Sequence, residues 1–189
     1  YRVSGLEVFG VEMDKRAADL CKRNIDLNMF KAKICNINIA NTIRELKSVS
    51  FDHVFMNPPY FKQNSVKESH ILSSHQARVE SMPLSAWISV AKNRCKPNGK
   101  ITVIQRVERL PDIIKCLDGY FGQVTVQPIS SFKDTSPKTV IVQATKTSGA
   151  AFKLLAPKIV HRRDGISGKV VYEDEFKKIL RYGHPLQLN

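Results

Sequence analysis

Residues 51–61 read FDHVFMNPPYF. The apolar run through Met56 suits a buried strand. Pro58 and Pro59 then fix two successive φ angles and remove two backbone donors, so sheet pairing has to stop at Asn57. An amide, two prolines and the ring of Tyr60 therefore follow one another at the carboxyl end of a strand. In open parallel sheets that end is where ligands gather.

Working outward, LEVFGVE at 6–12 reads as a short buried strand. MDKRAADLCKRNIDLN follows with helical spacing, in which Ala17, Leu20, Cys21, Ile25 and Leu27 or Asn28 fall near one stripe. Asp14 stands just before it as an N-cap. A second strand is expected at 32–39 and a third at 51–57. Leu84 to Cys95 has helical spacing, and PNG at 97–99 supplies turn chemistry to end it. KITVIQRV is a fourth strand, and LPDIIKCLDGYF a helix with proline in its first turn. QVTVQPI and KTVIVQATK are late strands suited to antiparallel pairing. The alternation predicts an α/β fold with a mostly parallel sheet and an antiparallel final strand. A core over 1–146 and an extension over 147–189 then form a single domain. The extension reads as KLLAPKIVH, KVVY and a helix EDEFKKILRY.

The chain of 189 residues is 42% hydrophobic, enough for one domain with a core of its own. No apolar run approaches the roughly 20 residues of a membrane span. Cys21, Cys35, Cys95 and Cys116 are far apart and make no CxxC pair, and the histidines add no metal spacing. The expectation is no metal, reduced cysteines and a cytoplasmic setting. Against 17 Asp and Glu stand 30 Lys and Arg, a net charge of +13. Such an excess favours a polyanionic partner, though a merely basic surface would look the same.

The chemistry of the motif follows from its groups. The Asn57 side-chain oxygen and the Pro58 carbonyl are convergent acceptors for the two N–H bonds of an exocyclic amine. Two such bonds draw the nitrogen lone pair out of ring conjugation and make it nucleophilic. Tyr60 offers a flat face for a base taken out of its stack. An ordinary proline turn is the plain alternative. Glu12, at the carboxyl end of the first strand, suits acceptance from ribose hydroxyls, with Met13 able to pack on an adenine face. It also suits a charge at a helix start.

These residues resemble a class I S-adenosylmethionine-dependent methyltransferase of the amino-methylating kind. Within that class the chain is similar to the bacterial valine-tRNA adenine-N6-methyltransferase family over most of its length. GVEMD resembles the acidic ribose-binding turn, and SFDHVFMNPPYF the catalytic strand and loop. AWISVAKNRCKPNGKITVIQR resembles the helix and strand that follow, and SPKTVIVQATK and KLLAPKIVH the final strands and tail. The NPPY motif is shared by many amino-methyltransferases, so the tRNA assignment rests on the other segments.

The resemblance implies a Rossmann-like sheet, S-adenosylmethionine as cofactor and tRNA as partner. It implies that Glu12 binds the cofactor ribose, Asn57 and Pro58 the target amine, and that Tyr60 stacks on the base. Asn38 stands where the family usually has an acid for the cofactor's adenine amine; an amide oxygen accepts there without charge assistance. Phe61 is a candidate for lining the base pocket, and Phe132 for a second face. Arg78, Lys138, Arg162 and Arg163 are candidate phosphate contacts, although each is individually ordinary surface charge by default. His70 and His75, in the loop after the motif, read as solvated.

The family begins with a strand, a Gly-rich turn and a helix ahead of the segment equivalent to LEVFGVEMD, and this chain opens at Tyr1 beyond them. A preceding piece of roughly 40–60 residues is expected, its strand lying between those at 6–12 and 51–57. Rival readings are methylation of a protein glutamine, of guanine N2 or of DNA adenine. A catalytically inactive nucleic-acid-binding module on the same fold is a further one.

Overall fold

The computed structural model describes residues 5–39, 46–59 and 82–188. The chain divides into two compact units, 1–50 and 51–189. The first is a strand–helix–strand unit. β1 (Val8–Glu12) and β2 (Ala32–Asn36) pair in parallel, with Val8 opposite Ala32 and Glu12 opposite Asn36. Between them runs α1 (Lys15–Leu27). Asp14 caps it as expected, its carboxylate accepting from the Ala17 N–H at 2.8 Å. The buried face of α1 differs from the predicted stripe. Ala18 is fully buried and Cys21 and Ile25 partly so, whereas Ala17, Leu20 and Leu27 are exposed. The residues at 18, 21 and 25 keep the three-to-four spacing of a single face, and Leu20 lies off it.

The second unit holds a six-stranded sheet in the order β3-β4-β6-β5-β7, with β8 also on β5. Its strands are β3 (Phe51–Met56), β4 (Cys95–Arg106), β5 (Phe121–Ser130), β6 (Thr139–Lys146), β7 (Lys153–Leu154) and β8 (Lys158–Ile159). β3 and β4 are parallel, β6 is antiparallel to both β4 and β5, and β7 and β8 are parallel to β5. All strands of this sheet therefore run one way except β6. This is the mostly parallel α/β sheet with a reversed final strand that the sequence pattern predicted.

Helices α2 (Leu84–Arg94) and α3 (Leu110–Leu117) cover one face. Leu84, Ile88 and Ala91 of α2 and Ile113 and Leu117 of α3 project at helical spacing onto Ile101 and Val103 of β4 and Val140, Val142 and Ala144 of β6. Each fully buried aliphatic side chain of this core contributes about 1.5–3 kcal/mol. The alternate residues of β4 and β6 belong to the other face. There Thr102 Oγ1 meets His53 Nε2 at 2.8 Å and accepts from Gln143 Nε2 at 3.2 Å, a polar bridge across three strands.

One boundary differs from expectation. α2 ends at Arg94 and β4 begins at once with Cys95, so PNG lies inside the span of the strand. Phe51 pairs with Cys95 and His53 with Lys100, so the two strands slip in register at this point. Asn98 takes φ 60°, and a Cβ on Gly99 would lie 2.7 Å from Cys95 Sγ and 3.0 Å from the Asp52 carbonyl oxygen. The turn residues build a bulge against β3 and do not separate helix from strand.

The remaining chain forms a small hairpin of β9 (His161–Arg163) and β10 (Val170–Tyr172), followed by α4 (Asp174–Tyr182). Lys158 pairs with Glu175, and Arg162 with Glu173 at 3.8 Å, tying the strands to the start of α4.

Candidate functional site

The carboxyl end of β3 carries the motif. Asn57 is exposed, Pro58 is fully buried and Pro59 partly so. The buried groups are held from the neighbouring parallel strand. Gln105, itself fully buried near the end of β4, donates from Nε2 to the carbonyls of Pro58 and Pro59, both at 3.1 Å. Its Oε1 accepts from the Arg106 N–H at 2.9 Å. Both polar atoms of this side chain are thus used, Nε2 on the two prolyl carbonyls and Oε1 on the Arg106 N–H. A carbonyl has two lone pairs, so the Pro58 oxygen retains capacity for a second donor. Asn57 is exposed, and the carbonyl of the next residue, buried Pro58, is fixed by Gln105.

Gln105 was not among the residues singled out from the sequence. The available signal was a glutamine near the end of the apolar run KITVIQR, where a buried amide demands partners. Tyr60, Phe61, Arg78, His70 and His75 lie outside the described residues.

Other cations line the same edge of this sheet. β6 starts where β4 ends, with Thr139 opposite Arg106, so exposed Lys138 stands at the carboxyl edge. Its carbonyl accepts from the Val107 N–H at 3.2 Å. Glu108 is held below the usual carboxylate range by a backbone hydrogen bond within its own residue and by the Arg106 guanidinium, with Lys138 adding. Phe132 follows the end of β5 at this edge and lies 5.8 Å from His161, ring centre to ring centre.

In the first unit, Glu12, Met13 and Asn38 come together. One Glu12 carboxylate oxygen accepts from the Asp14 N–H at 2.8 Å, which shapes the turn into α1. Asn36 donates from Nδ2 to the carbonyls of Glu12 and Met13, at 2.9 and 3.0 Å. Asn38 Nδ2 lies 3.4 Å from Met13 Sδ, and the Met13 side chain is 58% exposed. The result is a turn fixed by β2 that shows an acid and a soft apolar side chain at the carboxyl ends of two parallel strands. A carboxylate accepts about four hydrogen bonds, so the one to Asp14 leaves room for a ligand diol.

The profile described as N-6 DNA methylase matches residues 2–110, more than half of the chain. The chain belongs to the N-6 DNA methylase family. A tRNA1(Val) (adenine(37)-N6)-methyltransferase of Shewanella halifaxensis is 26% identical over 121 residues, covering 62% of this chain and 48% of the relative. The corresponding protein of Shewanella sediminis is 23% identical over 107 residues, covering 53% and 43%. The chain thus spans about half the length of these curated relatives. A crystal structure from Agrobacterium tumefaciens, described as that of a predicted O-methyltransferase, superposes with a TM-score of 0.72 at 21% identity. It covers 96% of this chain and 80% of that one. The 16S rRNA N2 G1207 methyltransferase of T. thermophilus, in complex with AdoMet and guanosine, gives a TM-score of 0.51 at 22% identity over 75% of this chain and 32% of that one. Its fold is the class I Rossmann-like one.

Among the described residues, no group of three or more His, Cys, Asp or Glu side chains is arranged to hold a metal ion. No helix among them is long and apolar enough to cross a membrane. None of the four cysteines is in a disulfide.

Proposed function

We propose that the protein methylates the N6 amine of an adenine in tRNA, within one methyltransferase domain and in the cytoplasm. The observation that carries this reading is the anchored loop after β3: an exposed Asn57 amide next to a Pro58 carbonyl braced by Gln105. Such a pair of acceptors matches the two donors of an exocyclic amine and nothing else on a base edge so well. The likeness to tRNA adenine-N6 enzymes and the net charge of +13 support adenine and RNA over a protein substrate.

The residues of the β1–β2 turn fit the cofactor. Glu12 would accept from its ribose hydroxyls, Met13 would pack on its adenine, and Asn38 would meet the adenine edge. When bound, S-adenosylmethionine supplies a methyl group on a sulfonium that needs no further activation. Asn57 Oδ1 accepts one amine hydrogen and the Pro58 carbonyl the other, which orients the nitrogen and localises its lone pair. Tyr60 stacks on the base and Phe61 lines its pocket, while Arg78 and Lys138 contact phosphates. The surplus amine proton leaves to water, so no side chain serves as a strong base.

The test is incorporation of labelled methyl groups into bulk tRNA by the full-length protein, followed by nucleoside analysis. N6-methyladenosine is expected. Asn57→Ala should lower kcat by about 10²–10³-fold, the cost of deleting one preorganised polar contact, with cofactor affinity unchanged. Label found on guanine N2, in DNA or on protein would overturn the assignment, and so would an Asn57→Ala protein of full activity.

A further inference from the structure

We infer that the hairpin after β8 is a stacking platform for a single-stranded stretch of RNA, held at the same sheet edge as the Asn57 loop. This deepens the proposed function and rests on its choice of RNA.

Backbone bonds fix the position of the hairpin. The parallel pairing of β8 with β5 continues past Ser130: Val160 N–H donates to the Ser130 carbonyl and His161 N–H to the Ser131 carbonyl, both at 2.9 Å. β9 therefore leaves from the carboxyl end of β5. Within the hairpin, His161 pairs with Tyr172 and Arg163 with Val170. Strand alternation puts these four side chains on one face, and Arg162, which pairs with Glu173, on the other.

On that face three rings form a row. His161 stacks on Tyr172 with centroids 5.0 Å apart and planes at 26°, and Phe132 follows at 5.8 Å and 40°. Phe132 is itself set by Thr135, whose hydroxyl accepts from the Phe132 N–H at 3.0 Å and donates to its carbonyl at 2.8 Å. The outer end of the row is open: Tyr172 is 37% and Val170 52% exposed.

The surrounding charge is positive. Lys133 and Lys138 flank Phe132 in sequence, and Arg163 and Lys169 flank the hairpin turn; all four are exposed. Of the acids nearby, exposed Asp134 follows Lys133, Glu173 pairs with Arg162 on the other face, and one oxygen of Asp164 is engaged by the turn itself. That oxygen accepts from the Ile166 and Ser167 N–H groups and from the Ser167 hydroxyl. An exposed ring at the end of a fixed aromatic row, set among exposed cations, is the combination that single-stranded nucleic acid uses: bases stack and phosphates pair. Duplex RNA offers no free base face to such a row.

The sheet also sets a length. From β3 to β8 the edge crosses β4, β6 and β5, four steps of about 4.8 Å or roughly 19 Å in all. At about 3.4 Å per stacked nucleotide, roughly six nucleotides separate a base at Asn57 from one at the end of β8, and Tyr172 lies one strand pairing beyond that.

The test uses the full-length protein and fluorescence anisotropy with a labelled 12-nucleotide single-stranded RNA and a 12-base-pair RNA duplex. Tyr172→Ala should weaken binding of the single-stranded 12-mer by about 5- to 150-fold, the range for one lost base–aromatic stack, and Tyr172→Phe by less than about twofold. Arg163→Ala should lower the salt slope for the 12-mer by about 0.7. Melting temperatures identify any variant that fails to fold, and Arg163→Ala does not touch the ring row. A folded Tyr172→Ala protein with unchanged 12-mer affinity would overturn the platform and mark the rings as mere packing. So would an equal loss on the duplex. Methyl transfer to tRNA measured alongside separates the two ideas. Tyr172-dependent binding without adenine methylation leaves the platform standing and removes the substrate assignment; methylation with no Tyr172 effect does the reverse.

Discussion

Replacing Gln105 with leucine tests whether the loop after β3 is held from β4. Leucine keeps the side chain's bulk and deletes both its donor and its acceptor. Three backbone groups then lose a partner: the Pro58 carbonyl, the Pro59 carbonyl and the Arg106 N–H. An unsatisfied buried group costs about 1–3 kcal/mol. Pro58 is fully buried and stands at the upper end of that range, whereas Pro59 and Arg106 are half-buried and recover part of the loss from water. The total is about 2–5 kcal/mol, below the 5–15 kcal/mol stability of a typical domain, so the variant should fold with a lowered melting temperature. The larger effect falls on catalysis. A misplacement of about 1 Å can cost about 10²-fold in rate, so kcat for methyl transfer to tRNA should drop by that order. Affinity for S-adenosylmethionine, measured by calorimetry, should not change. Gln105→Glu sharpens the test. An ionised carboxylate cannot donate to the two prolyl carbonyls, but the protonated acid regains one donor. Its activity should therefore rise relative to the wild type as pH is lowered, and that of Gln105→Leu should not. A Gln105→Leu protein with wild-type kcat and melting temperature would refute the argument.

Two further expectations concern stability. Burial holds the His53 pKa below its usual value, with the charge of Lys100 adding. The folded state therefore favours neutral His53, and its contribution is fully present above about pH 6.5 and lost as pH falls toward the folded pKa. Urea midpoints at pH 7.5 and 5.5 should show a larger loss on acidification for the wild type than for His53→Asn, and equal losses would contradict the assignment. At Gly122 an added Cβ would lie 1.8 Å from the Ser148 carbonyl oxygen, a backbone atom that cannot swing aside. Gly122→Ala should cost about 3 kcal/mol in urea unfolding, and a change below about 0.5 kcal/mol would show that the chain at 148 shifts freely.

Much of this architecture was legible because its signals are local. Apolar period marks the strands and helices, Asp14 announces a helix start, and two prolines announce a strand end. The predicted stripe of α1 contains Cys21 and Ile25 of the buried face but takes in Ala17 and Leu20 in place of Ala18, because they are as apolar as the residues that do face inward. The PNG sequence was recognised as turn chemistry, but a bulge and a helix stop use the same residues. In the candidate site, Asn57 and Pro58 stood out because proline limits what the backbone can do. Gln105 did not, since nothing in a glutamine tells which carbonyls, 46 and 47 positions away, it will reach. The tail hid its role for a related reason. Its strands are two or three residues long and acquire meaning only from the register with β5 and from rings contributed by two separate segments.

The reversal of β6 has a consequence for synthesis on the ribosome. β4 and β5 are neighbours in sequence but not in the sheet, because β6 lies between them and pairs with both. The inner edge of β4, with Ile101 and Val103, must wait about 40 residues after its own completion for Lys146 to be made; at ~5–20 residues per second that is about 2–8 s. From the completion of β5 at Ser130 until β6 joins, the nascent chain holds an open slot one strand wide, bounded by two unpaired edges. Any β-prone segment of another chain that fits the slot competes with β6 for it. The newborn chain is therefore most vulnerable to misassembly, and most in need of a chaperone, while its last core strand is still inside the ribosome.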